Sequence, residues 1–185
     1  MLLVMDYQRG VIARLPRADD LLARAAGAIA LARDRGLPVG YVRVAFTAPE
    51  WEAVPAANKA FSALAASGRR LDDAAPETAV HPAVAPVPGD LVVRKTRTGA
   101  FSTTSLDARL RERGVDTLIL AGLATSGCVL STVRDAADRD YRLYVLEDAC
   151  ADPDPEVHDL LVRTVLRRQA WVVRTTDLAV LLGPA

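Results

Sequence analysis

Short apolar runs rich in branched side chains alternate along this chain with longer stretches of helical period, and that alternation constrains the fold more than any other feature. Leu2–Met5, residues 39–45, Leu91–Lys95, residues 117–121, residues 143–146 and Trp171–Val173 read as strands. Between them, Leu21, Ala25, Ala28, Ile29 and Ala32 share one helical face, which Gly36 ends. Residues 104–112 read as a helix with Thr104 and Asp107 as a capping pair, closed by Gly114. Residues 128–140 carry Val129, Val133, Ala136 and Ala137 on one face, and Asp154 caps a helix that starts at Pro155 and runs to about residue 169. A last helix opens at Thr176. Strand and helix in strict alternation require a parallel sheet with right-handed crossovers. The expectation is an α/β protein: a three-layer doubly wound sandwich, about six-stranded, mostly parallel, with helices on both faces. One domain over residues 1–185 accounts for the whole pattern. The proline-rich stretch 46–88 breaks the rhythm, with a short helix at 58–66; a loop this long inside a compact domain is usually functional.

Composition removes several classes of function. Lys plus Arg (23) equals Asp plus Glu (23), so no basic surplus exists to attract nucleic acid. Balanced charge also weakens repulsion between copies, which eases self-association. No apolar run reaches the roughly 20 residues that span a bilayer, and Asp6 and Arg9 interrupt the apolar start too early for a secretory segment. Cys128 and Cys150 are the only cysteines, too few for a disulfide framework; two free thiols in a reducing cytoplasm are expected.

In open parallel sheets, ligands bind beyond the carboxyl ends of the strands. That rule singles out Asp6 after the first strand, Lys95 at the end of the third and the turn Gly122 to Cys128 after the fourth. Cys128 opens a predicted helix, where free N–H groups and the positive end of the helix dipole favour a thiolate and offer an oxyanion site. The plainer role is a small buried hydrophobe, the usual fate of a lone cysteine. Cys150, between Asp148 and Asp152, reads as structural. Asp6 can equally cap a loop, and Lys95 can equally be a solvated edge lysine; all three at one end of one sheet point to nucleophilic hydrolysis.

The segments Val4-Met5-Asp6-Tyr7-Gln8, Lys95-Thr96-Arg97-Thr98-Gly99-Ala100-Phe101, Gly122-Leu123-Ala124-Thr125-Ser126-Gly127-Cys128-Val129, Thr132-Val133-Arg134-Asp135-Ala136 and Glu147-Asp148-Ala149-Cys150-Ala151-Asp152 resemble, in order, motifs of the isochorismatase-like cysteine hydrolases. That family includes nicotinamidases, N-carbamoylsarcosine amidases and ureidoacrylate hydrolases. The resemblance implies a catalytic triad of Asp6, Lys95 and Cys128. It implies a non-proline cis peptide between Leu123 and Ala124, and an oxyanion hole formed by the Ala124 and Cys128 N–H groups. It also implies a covalent route without a cofactor, and a homo-oligomer, dimer or tetramer.

Two departures narrow it. Where nicotinamidases carry an Asp-x-His metal signature, this chain reads Arg43-Val44-Ala45-Phe46-Thr47, and His81 and His158 are its only histidines, so no metal site is expected. Some isochorismate-cleaving members lack the cysteine, which is present here and favours acyl chemistry. A small-molecule substrate would meet Gln8, Phe46, Trp51, Arg97, Phe101, Leu123 and Thr125, with Tyr7, Arg43 and Asn58 as further candidates. An amidase acting on a C–N bond leads; a vinyl-ether hydrolase, an idle binding protein on the same fold and a thiol redox protein stand as alternatives, the last without a Cys-x-x-Cys pair.

Overall fold

The computed structural model describes residues 1–183. In chain order the elements are β1 (Leu2–Met5), α1 (Arg9–Ile12), α2 (Ala18–Asp34), β2 (Val39–Val44), α3 (Ala48–Glu52), α4 (Lys59–Ala66), β3 (Leu91–Lys95), α5 (Leu106–Arg111), β4 (Thr117–Leu123), α6 (Leu130–Asp138), β5 (Arg142–Ala151), α7 (Pro155–Leu160), β6 (Trp171–Val173) and α8 (Leu178–Leu182). The six strands form one sheet in the order β3-β2-β1-β4-β5-β6, and every pairing is parallel.

The sheet is buried on both faces because helices return across each. On one side Leu2, Val4 and Ile119 pack under Leu22, Ala25, Ile29 and Ala32 of α2 and Leu178 of α8. On the other, Leu3, Met5, Leu118 and Leu120 meet Leu106 and Leu110 of α5 and Val133 and Ala136 of α6. β1 and β4 are therefore apolar at nearly every position, the mark of a central parallel strand. The chain winds outward in opposite directions from β1 and β4, so the gap between their carboxyl ends is the switch point at which such folds bind ligands.

Three local expectations change. Thr104 and Asp107 do not pair: the Thr104 hydroxyl accepts from the Leu106 N–H, while Asp107 accepts from the Tyr141 hydroxyl (2.8 Å). The turn before α6 is not α-helical; residues Thr125–Val129 form a widened turn in which the Val129 N–H reaches back to the Ala124 carbonyl (3.2 Å). The stretch 46–88 is more ordered than its composition suggests. Thr47 and Glu50 form a capping box that starts α3, and Asn58 caps α4 by accepting from the Phe61 N–H (3.2 Å).

Gly122 lies where β4 passes between the strand beside it and the turn above it. A Cβ there would come within 3.0 Å of Val129 and 3.1 Å of Met5. Gly122→Val therefore overpacks the switch point, and urea unfolding should show a loss of about 1–3 kcal/mol. An unchanged midpoint would mean that the turn above β4 yields freely.

Candidate active site

Three strand ends deliver three side chains to one point. β1 terminates in Asp6, whose backbone takes the left-handed conformation (φ 57), uncommon for a non-glycine residue and a sign that its surroundings constrain it. β3 ends in Lys95, fully buried. β4 runs into the widened turn that carries Cys128, and such turns recur at functional sites. The Leu123–Ala124 peptide is cis, where the resemblance implied it.

The Lys95 ammonium has three protons and three acceptors. Nζ lies 2.7 Å from Asp6 Oδ2, 2.9 Å from Cys128 Sγ and 2.6 Å from the Thr98 carbonyl oxygen. That completes the donor capacity of a lysine. Asp6 Oδ1, also buried, has no partner among the described residues. The loop after β3 is clamped onto α6, since the Ala100 N–H donates to the Thr132 hydroxyl (3.2 Å) and Gly99 packs on Ser131. The nucleophile turn is held from the other side: the Ser126 N–H donates to Asp152 (2.8 Å), and the Thr125 hydroxyl lies 2.8 Å from His158 Nδ1.

Burial governs the charges. It raises the Asp6 carboxyl above the usual carboxylate range, against the pull of Lys95. It likewise pushes the Cys128 thiol up to about 12, with the Asp6 charge adding to the rise and Lys95 opposing it. Burial also works against the Lys95 cation, but Cys128 and Asp6 together outweigh it, and the ammonium is held above its ordinary value. Against the expectation of a thiolate favoured by a helix terminus, the dominant influence on the thiol is burial. Burial and the carboxylate beside the sulfur work against a second anion, while the Lys95 ammonium favours it.

A cavity of about 220 Å³ opens over the sulfur. Asp6, Lys95 and Cys128 lie at its base, and of the other candidates Arg97, Leu123 and Ala124 line it, together with Val11, Val44, Phe61, Thr98 and Gly127. The other candidates point elsewhere. Gln8 is a strut: its amide donates to the carbonyls of Val44 and Thr78 and accepts from the Val44 N–H, each at 2.8 Å. Phe46 and Trp51 pack with Phe61 in a small cluster of their own (Phe46–Phe61 ring centroids 5.4 Å), and only Phe61 reaches the cavity. Phe101 is core, against Tyr141. Thr125 is spent on His158, Tyr7 on the Ala149 carbonyl, Arg43 on Asp73 and Asn58 on its cap. Thr98 and Gly127 stood inside the motifs but were not singled out there; Phe61, Val11 and Val44 lay outside them, and apolar residues carry no chemical signal. Among the described residues, no three His, Cys, Asp or Glu side chains gather as a metal would require. Cys150 is a free, buried thiol.

A family model for the isochorismatase domain matches residues 1–177. The chain is 35% identical over 163 residues to the ureidoacrylate amidohydrolase of Methylobacterium radiotolerans, covering 82% of this chain and 63% of that one. It is 31% identical over 171 residues to the maleamate amidohydrolase of Pseudomonas putida, covering 92% and 75%. Among solved structures, the N-carbamoylsarcosine amidase of Thermoplasma acidophilum superposes with a TM-score of 0.77 at 32% identity, over 94% of this chain and 95% of that one.

The strut role of Gln8 has a direct consequence. Gln8→Ala strands three backbone groups, the Thr78 carbonyl buried and the two of Val44 part-buried, and should cost about 3 kcal/mol of stability by denaturant unfolding. A substrate contact at Gln8 would instead raise KM and leave the unfolding midpoint in place.

Proposed function

This chain belongs to the isochorismatase family, and from that premise we propose that it hydrolyses a small-molecule amide or related C–N bond through a thioester on Cys128. The observation that carries the reading is the Lys95 ammonium, 2.7 Å from Asp6 and 2.9 Å from the Cys128 sulfur, facing a small cavity lined largely by apolar side chains. Further support comes from relatives named as amidohydrolases of ureidoacrylate and maleamate.

The mechanism follows from the charges. With the thiol pushed up by burial and by Asp6, attack of Cys128 on a substrate carbonyl is coupled to proton transfer to Asp6. Oδ1 is the oxygen free to take it, and the raised proton affinity of a buried carboxylate makes it a stronger base than an exposed one. Sulfur and carbonyl carbon join, and the oxygen becomes an anion held by the N–H groups of Ala124 and Cys128. Lys95 stays charged throughout, offsetting negative charge on sulfur and on Asp6. The C–N bond then breaks, and Asp6 passes its proton to the departing nitrogen. A water molecule attacks the thioester, gives a proton to Asp6 and releases the acid; the proton returns to the thiol.

The reading extends to one catalytic domain in a cytoplasmic homo-oligomer, without a role for nucleic acid or membrane. Balanced charge and two unpaired thiols agree with it, and no helix among the described residues is long and apolar enough to cross a membrane.

An ammonia-release assay over primary amides, ureido and carbamoyl compounds is the test. Cys128→Ala should abolish turnover, and Asp6→Asn should lower kcat by about 10²–10⁴-fold, the usual worth of a general base. Both variants should keep the native circular dichroism spectrum. Retained turnover in the folded Cys128→Ala protein removes the mechanism.

The pH dependence has a determined sign. Asp6 must be ionised to accept the proton, and its folded value is raised above 3.8. Activity is therefore full above that raised value and falls as pH drops through it, so the acid limb of kcat/KM should lie clearly above 3.8. The thiol, held up to about 12, adds no limb near neutrality. An acid limb at or below the ordinary carboxylate value would contradict the role given to Asp6.

A further inference from the structure

The turn that carries Cys128 is braced by groups outside the substrate cavity. Thr125 opens that turn, next to Ala124 and shortly before Cys128, the two residues whose N–H groups receive the oxyanion in the reaction above. Thr125 is fully buried. Its hydroxyl reaches Nδ1 of His158 in α7, 2.8 Å away, and has no other hydrogen bond among the described residues. Ser126 is held from the same side, its N–H donating to Asp152 (2.8 Å), and the second Asp152 oxygen accepts from the Asp154 N–H (3.3 Å). Asp154 in turn caps α7 by accepting from the Glu156 and Val157 N–H groups. The end of β5 therefore fixes both the start of α7 and the turn that α7 faces.

Thr125, Asp152 and His158 do not line the cavity over the sulfur. Asp152 and His158 lie along a separate cavity of about 340 Å³, shared with Leu15, Leu21 and Arg24. A small molecule seated on Cys128 thus meets the turn and not the groups that hold it. Burial keeps the half-buried His158 imidazole below its ordinary value, against Asp159, Asp152 and Glu147, which favours the neutral ring. With its proton on Nε2, that ring accepts the Thr125 hydroxyl proton at Nδ1. Loss of this acceptor leaves a hydroxyl unsatisfied in the interior, and the turn has to shift to relieve it.

Resting on the hydrolase reading above, we propose that His158 is a positioning residue, which through Thr125 fixes the turn so that the sulfur and the Ala124 and Cys128 N–H groups meet the reacting carbonyl in one geometry. It touches neither the substrate nor a reacting atom. The oxyanion exists only as the bond from sulfur forms, so a displaced turn weakens the transition state more than the bound substrate. The signature is a fall in kcat with KM little changed.

The test is a double-mutant cycle, read in kcat and KM with the best amide from the ammonia-release assay. His158→Ala and Thr125→Val should each lower kcat by about 10–100-fold, the scale of a small misplacement at a reacting centre. The double variant should fall no further than the worse single one, because both changes break the same contact. His158→Asn, whose amide reaches the place of Nδ1, should recover most of the loss, and it keeps the test open if His158→Ala does not fold. Unchanged kcat in Thr125→Val and His158→Ala, a loss carried by KM, or losses that multiply in the double variant would overturn the proposal. Hydrogen exchange over residues 125–129 gives a reading that needs no turnover: it should quicken in His158→Ala and return toward the wild-type rate in His158→Asn. Quickened exchange together with no turnover of any amide by the wild-type protein would support the brace while removing the hydrolase reading. Unchanged exchange would overturn the brace whether or not amides are hydrolysed.

Discussion

A buried ammonium is costly unless each proton finds an acceptor, and much of this site can be understood as the arrangement that satisfies Lys95. Its three contacts come from three separate parts of the chain: Asp6 after β1, the Thr98 carbonyl in the loop beyond β3, and Cys128 in the turn beyond β4. Only Thr98 is near Lys95 in sequence. The lysine thereby joins the switch point of the sheet to an outer strand, with β2 between them. Removing any partner would leave a charge in the interior with an unfilled proton, so the constellation is held together by the same energy that makes it reactive.

That arrangement also decides where the reactive proton sits. A helix terminus and a lysine both favour a thiolate, yet burial and the neighbouring carboxylate raise the thiol to about 12. Burial and Asp6 thus oppose a sulfur anion that Lys95 favours. The site stores a base, Asp6, whose proton affinity has been raised and whose second oxygen is left without a partner. A protonated thiol is less open to oxidation and alkylation than a thiolate.

Around this centre, polar side chains that look like substrate ligands serve instead as braces. Gln8 ties the start of α1 to the end of β2 and to Thr78 in the long connection. The Thr78 hydroxyl in turn donates to the carbonyls of Asp72 and Ala75. The connection between β2 and β3 is thus packed by its own aromatic cluster and pinned by buried amides, and it presents Phe61 to the cavity. The cavity wall is then largely apolar, with Arg97 the one charged side chain besides Asp6 and Lys95.

The strands, their parallel pairing and the polar ends of β1, β3 and β4 were legible in the sequence, because period and burial are local and parallel sheets place ligands at one edge. Asp6, Lys95 and Cys128 could be named from that rule and from the ordered motifs around them. Gln8, Phe46, Trp51, Phe101 and Thr125 could not be sorted the same way. An amide or an aromatic ring reads alike whether it faces a ligand or a neighbouring strand, and only the positions of Val44, Phe61, Tyr141 and His158 in space decide which. The state of the thiol was hidden for a similar reason. Residue order shows a cysteine at the mouth of a helix, but its proton depends on how much water reaches the sulfur and how near a carboxylate stands. Those are properties of packing among distant segments, and tertiary structure alone determines them.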